Sequence, residues 1–451
     1  MTVSTGAVKY LKSISSVRET TSQVFQYAQE RGEANYFKLN LAKMGSVVDF
    51  LSEIIARDYG TDYAAIPPHG RWQHLNCGGV QRVEALIARW SASGVDEVEI
   101  ARKLIDLFVF SVLVDAGAGN VWKFTAAGAE PIGRSEGLAV ASYALFDAGA
   151  LSSDASDPHK VNGARLSAFT QPEFDQGFQI SDTNPMNGSE GRRSLIQRLG
   201  RALESNVAIF GPEARPGAIV DYLYGKSVVE AAGRTIDLND LWDALMDGLT
   251  SIWPATRTTV DGESLGDAWR LDTKADAYAA LRASDAVPAV APEVADIVTF
   301  HKLTQWLCYS LLVPLESYGH KFLVRNKQLQ TGLPEYRNGG LFYDFGVLEL
   351  NPAARARGLE LSASLSSAPQ GSKPEIPTFA PDDGVIVEWR CLTIGLLDYL
   401  LPLLNKKLNY TLALPQLIEA GSWKAGREIA AKLRPSTGGP PIELHSDGTV
   451  F

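Results

Sequence analysis

Apolar residues along this chain recur mostly at helical spacing. Val47, Val48, Leu51, Ile54 and Ile55 mark the second of two helices expected between residues 7 and 57. Further helices are expected over 80–92, 95–114, 194–204 and 238–252, with another running up to Phe146. Thr170-Gln-Pro-Glu173 has the spacing of a capping box with proline near the start, so a helix begins there. Strand signals are sparse: a short extended piece at 121–124, then 341–350 and 359–362. The pattern therefore predicts a mostly α protein, a single large helical body with a few short β-strands or hairpins. It forms either one full-length domain or two helical lobes of about 1–290 and 291–451.

The stretch 300–347 stands out. Its first half reads as a buried helix carrying His301, Gln305, Trp306 and Glu316. Its second half, TGLPEYRNGGLFYDFGV, reads as a turn-rich loop holding Glu335, Arg337, Asn338 and Asp344. A rigid helix followed by a polar loop is a common way to present groups to a ligand. A second loop, 58–79, mixes glycine and proline with His69 and His74. The polar segment 361–377 reads as a surface excursion, and Asp447-Gly448 as the turn of a terminal hairpin.

The most apolar run, 385–404, is interrupted by Glu388, Arg390 and Asp398 and contains Pro402. That pattern fits a buried core helix whose charges have specific partners, and not a membrane span. A net charge of −10 argues against a broad nucleic-acid-binding surface, which needs clustered Lys and Arg. The expected partner is a small-molecule substrate, with no nucleic acid and no membrane. Cys77, Cys308 and Cys391 lie far apart without a CxxC, so a disulfide framework is not expected. MTVSTGAVKYLKS lacks an apolar signal core and reads as the start of a cytoplasmic protein.

Gly133-Arg-Ser-Glu-Gly137 matches the letters of a nucleophile elbow. That motif needs a strand before it, and TAAGAEPI with Pro131 is a poor one. Ser135 reads better as a helix cap, with Arg134 and Glu136 near the positive helix end. In Asp115-Ala-Gly-Ala-Gly-Asn-Val-Trp122 an acid sits at a helix C-terminus, where the backbone dipole opposes it. Such an acid calls for a compensating partner or ligand. His69, His74 and Cys77 fall within nine residues and form a weak alternative metal set that lacks a matching fourth ligand. Glu388 and Arg390, two apart on one helix, point in different directions. They read either as separate structural ion pairs or as lining for one polar cavity.

Seven phrases are shared in order with a known family: GRWQHLNCGG, DAGAGNVW, GRSEGLAVAS, NPMNGSEGRR, FHKLTQWLCYSLLVPLE, TGLPEYRNGGLFYDFGVL and VEWRCLTIGLLD. On these the chain resembles the fungal and bacterial uracil catabolism protein 4 family across nearly its full length. The family is in turn distantly similar to the queuosine salvage proteins, α-helical ribosyl hydrolases. The resemblance implies a hydrolase of pyrimidine breakdown that cleaves an N-ribosyl bond, as in a ribosylurea, without a cofactor. An oxocarbenium-like transition state calls for a carboxylate, and Asp115, Glu136, Asp344 and Glu388 are the candidates. Arg134, Arg192, Arg337 and Arg390 are candidate anion binders, and Trp122, Gln305, Trp306 and Asn338 candidate pocket walls. The alternatives are an amidohydrolase acting on a ring-opened ureido compound, metal-assisted through His74 and Cys77, and a non-catalytic ligand-binding protein.

Overall fold

The computed structural model describes residues 3–119, 121–253, 257–283, 292–365 and 375–445, with side chains from residue 6 onward. The chain is mostly α-helical, with short strands in two- and three-stranded sheets. No described helix is long and apolar enough to cross a membrane. Two compact units form, and each is assembled from separate stretches of sequence. The first takes Met1–His69, Arg257–His301 and Leu329–Ser446, and the second Gly70–Thr256, Lys302–Gln328 and Asp447–Phe451. Neither unit is a continuous lobe.

In the first unit the helix Gly384–Leu408 is the core element. Asp383 caps it by accepting from Val385 N, and every residue from Val385 to Leu397 is buried. It packs on Ile14–Arg31, whose N-cap is Ser13. Gly395 makes that packing possible, because a Cβ there would stand 2.3 Å from the Phe25 ring. Asp398 on the same helix pairs with Arg18, which also donates to Gln330 O at 2.6 Å.

The stretch 331–347, expected as a loop, is mainly the helix Tyr336–Asp344. Glu335 caps it, accepting from Arg337 N and Asn338 N at 2.8 and 2.7 Å. Its two central glycines mislead a reading by propensity. A Cβ on Gly339 would meet Trp389 and Thr393 at 2.7–2.8 Å, so the glycine serves helix packing and not a turn. Of the expected strand 341–350 only Leu348–Leu350 is extended, paired antiparallel with Phe37–Leu39. Residues 359–362 lie inside the helix Pro352–Leu365. The first residues of the expected surface excursion, 361–365, are therefore helical, and 366–374 fall outside the described residues. In the tail, Glu443–Leu444 pairs parallel with Thr378–Phe379, while Asp447-Gly448 lies outside the described residues. Three helices, not two, occupy the first 59 residues: Val3–Lys12, Ile14–Arg31 and Met44–Tyr59.

In the second unit Glu97–Leu113 is buried on almost every face from Ile100 onward and is capped by Asp96. It packs against Lys302–Ser317 and Arg134–Asp147. Asp106, fully buried on this helix, is neutralised by Arg215 at 2.7 and 3.0 Å and by Gly217 N at 2.6 Å. The capping box at Thr170 and Glu173 forms as expected. A hairpin, Val228–Glu230 with Gly233–Asp237, was not visible in the pattern, since its strands are too short to show alternation.

Gly395→Ala should lower the urea midpoint, overpacking costing about 1–3 kcal/mol beside Phe25. Gly45→Ala, in the helix Met44–Tyr59 with open space around it, should raise stability by about 0.4–1 kcal/mol. Equal effects at the two positions would contradict the packing account.

Candidate functional site

The second unit gathers a charged cluster where Glu97–Leu113 ends. Four segments meet there: Arg71–Leu75, the end of Glu97–Leu113, the start of Arg134–Asp147, and Lys302–Ser317. Gly70 lets the first of these lie against the last, since a Cβ on it would stand 3.3 Å from Tyr309 O. Arg71 N then donates to Ser310 Oγ at 3.1 Å.

The Arg71 side chain is fully buried. Its Nε donates to Ser111 Oγ at 2.8 Å and its Nη2 to the Ser111 carbonyl at 2.9 Å. That carbonyl is one of the orphan acceptors in the last turn of Glu97–Leu113, so a guanidinium caps the negative end of the helix. Nη1 reaches Asp115 Oδ2 at 2.8 Å, with Ser135 Oγ at 3.1 Å and His74 Nδ1 at 3.2 Å. This is the partner that the acid at the helix end requires. Sequence reasoning did not pick out Arg71, although the unfavourable position of Asp115 called for such a cation.

Asp115 is held by one oxygen. Oδ2 accepts from Arg71, from Ser135 Oγ at 2.8 Å and from Trp306 Nε1 at 3.2 Å. Oδ1 accepts no hydrogen bond from the described residues. Burial alone would raise this carboxyl, yet the Arg71 charge, then that of His74 and the Ser135 hydroxyl bring it below the ordinary carboxylate range. Burial lowers the Arg71 guanidinium, while the carboxylates of Asp115 and Glu136 oppose that fall. His74 Nδ1 lies 3.2 Å from both Arg71 Nη1 and Ser135 Oγ. The His74 and Trp306 rings lie 5.4 Å apart, tilted by 48°, beside the carboxylate.

The letters GRSEG thus have another explanation. A short strand, Ile132–Gly133, does precede the helix, pairing with Lys123–Phe124. Ser135 does not cap the helix: the cap position is Gly133, and the serine proton goes to Asp115. In a hydrolase triad the acid orients the base and the base takes the serine proton. Here the acid takes the hydroxyl directly at 2.8 Å, while His74 Nδ1 stands 3.2 Å from the serine oxygen and the same distance from Arg71. Gly137 is there for packing, a Cβ being 2.3 Å from Ile132 O. Arg134 opens the helix at φ 56°, left-handed backbone that a non-glycine residue adopts at some cost.

The remaining candidates of this unit surround the cluster. Glu136 is buried in the first turn after Ser135, and Gln305 is buried next to Trp306. Arg192 is not an anion binder in this structure. Its donors go to the carbonyls of Val114 (3.3 Å), Gly117 (2.7 Å) and Asn187, so it clamps the loop that follows the helix. Burial brings its pKa down to about 10. Trp122 is no open pocket wall either, being buried and donating to Phe178 O at 2.8 Å.

The candidates in the first unit hold the scaffold. Glu388 accepts from Asn35 N, Tyr36 N and Phe37 N at 2.9–3.0 Å and from Thr273 Oγ1, which occupies both oxygens. Arg390 makes a two-point pair with Asp267 at 2.8 and 2.7 Å and lies 3.9 Å over the Phe300 ring. Asp344 is paired likewise with Arg434 at 2.9 and 2.5 Å. Glu388, Arg390 and Asp344, expected at the site, are thus each held by internal partners. Arg337 lies 5.0 Å over the Trp423 ring. Asn338 is fully buried, donating to Leu333 O at 3.1 Å. His301 is structural, with Nε2 2.7 Å from Leu11 O. His69 lies 2.6 Å from Glu419 Oε2, and among the described residues no group of three His, Cys, Asp or Glu could hold a metal ion.

Burial pushes the Glu388 carboxyl up to about 7, against the pull of its four donors. The folded value exceeds the unfolded one, so its contribution to stability is full below about 4.5 and is lost as pH rises through 7. Glu388→Gln should flatten the fall of the urea midpoint between pH 5 and 7. An unchanged slope would refute this.

Comparison with known proteins covers the whole chain. "Uracil catabolism protein 4" of Lachancea kluyveri is 67% identical over 447 residues, spanning 98% of this chain and 99% of that protein. "Protein urg3" of Schizosaccharomyces pombe is 41% identical over 453 residues, spanning 100% of both. The family described as "Protein of unknown function (DUF1688)" matches residues 10–451, and the chain belongs to it.

Proposed function

We propose that this chain is a hydrolase of uracil breakdown that cleaves the bond between ribose and a urea-type nitrogen. The pathway comes from the printed name of the relative at 67% identity. The chemistry rests on one observation: Asp115 is anchored through Oδ2 alone and keeps Oδ1 for another group. Breaking a C1–N bond builds positive charge on the sugar ring, and an ionised carboxylate beside C1 stabilises it. Water then adds its oxygen to C1. Its proton passes to Asp115 and on to the departing nitrogen, so ribosylurea and water give ribose and urea. A carboxyl held below the usual range is ionised at neutral pH, as this role requires. The Trp306 and His74 rings beside it suit a planar leaving group.

Purified protein incubated with N-ribosylurea, with and without a 5-phosphate, should release urea and free sugar in equal amounts. Urea is read by urease-coupled ammonia formation and sugar by reducing-end titration. Asp115→Asn, compared at equal folded fraction, should lose about 100-fold or more of the rate. Full activity in that variant, or no release from either substrate, sinks the reading. Ammonia formed without urease and without free sugar would mark amide hydrolysis instead.

A further inference from the structure

We infer that Arg71 is the positioning residue of this site: by holding Asp115 through Oδ2 it fixes Oδ1 as the oxygen that meets the substrate. The inference rests on Asp115 being the working carboxylate. Arg71 itself is fully buried and its fork is spent on Ser111, Asp115, Ser135 and His74, so it acts only through its neighbours.

Two features separate this role from ordinary packing. The same guanidinium grips the helix end through Ser111 and the acid beyond it through Asp115. The rotation of the carboxylate is therefore tied to the rigid helix Glu97–Leu113. Its backbone N–H is bonded to Ser310, on the helix that also supplies Trp306, the third donor to Oδ2. One residue thus places the acid relative to both helices. Lysine could supply the charge but not the planar fork that spans Ser111 and Asp115 together.

The charged and titratable groups acting on Asp115 are Arg71 and His74 from Arg71–Leu75, Lys302 from Lys302–Ser317 and Arg192 from Ser189–Ser205, while Glu136 from Arg134–Asp147 and Cys77 act on Arg71. Of these Arg71 is the cation in direct contact, so its removal changes the Asp115 titration most. The burial that remains favours the neutral acid.

The test uses the full-length protein. In Arg71→Gln the acid limb of kcat/KM for urea release should move up by about 1 to 3 on the pH scale. In Arg71→Lys the limb should stay closer to the starting protein, while kcat falls at least about tenfold and KM changes little. A purely structural role would lower the folded fraction and leave the limb in place. A readout without substrate is the carboxyl carbon shift of protein labelled at aspartate, with Asp115 identified by its loss in Asp115→Asn. An upward Asp115 titration in Arg71→Gln, with no turnover by any form, upholds the hold of Arg71 on the Asp115 carboxylate and refutes the catalytic reading. An unmoved titration in folded Arg71→Gln overturns the inference. Should that variant not fold, Ser111→Ala decides. It removes the Nε acceptor only, and a fall in kcat with KM kept supports the role, whereas unchanged kcat overturns it.

Discussion

The site depends on a guanidinium taken entirely out of water. Removing a cation from solvent costs several kcal/mol unless its donors are met, so such a group persists only where the fold supplies acceptors in the right directions. Ser111 supplies a hydroxyl and a carbonyl at the helix end, and Asp115 supplies the countercharge. The dependence is mutual. Without Arg71 the acid would face the negative end of a helix dipole in a buried place. Without Asp115 the cation would sit unneutralised. Arg192 then secures the loop beyond by its carbonyls, so two arginines with different tasks serve one short turn.

The buried charges of the first unit show why burial alone does not identify a functional group. Glu388 is more thoroughly buried than Asp115, and its carboxyl is pushed to about 7. All four of its hydrogen bonds come from inside the protein and both oxygens are occupied. Arg390 and Asp344 are likewise each closed on one internal partner by two bonds. Asp115 differs in the asymmetry of its bonding, with three donors on one oxygen. Reactivity at a buried carboxylate needs an atom left over, and that is a property of geometry, not of burial.

Helical spacing in the sequence was enough for the fold class and for most long helices, because apolar stripes on helices such as Glu97–Leu113 and Gly384–Leu408 are set by local pattern. It failed at Tyr336–Asp344, where Gly339 and Gly340 reflect a neighbouring indole that no local window contains. Of the residues around Arg71, Asp115 and Trp306 stood out in the sequence, the first through its conflict with a helix dipole. Arg71 was not, since an arginine in a Gly/Pro-rich loop gives no local sign that it will be buried. Ser135 was read as a cap because its position suits one, while its actual bond crosses to an acid 20 positions earlier.

The interleaving of the two units bears on how this chain is made. Arg18 and Asp398 sit on helices that pack together, yet they lie 380 positions apart. At about 5–20 residues per second, roughly 20–75 s separate their synthesis. During that interval the amphipathic helix Ile14–Arg31 has left the ribosome while its main packing surface has not been translated. The described parts of the second unit end by residue 328 and are translated sooner. The early helices of the first unit are thus the segments for which a cell's holding chaperones have the longest opportunity.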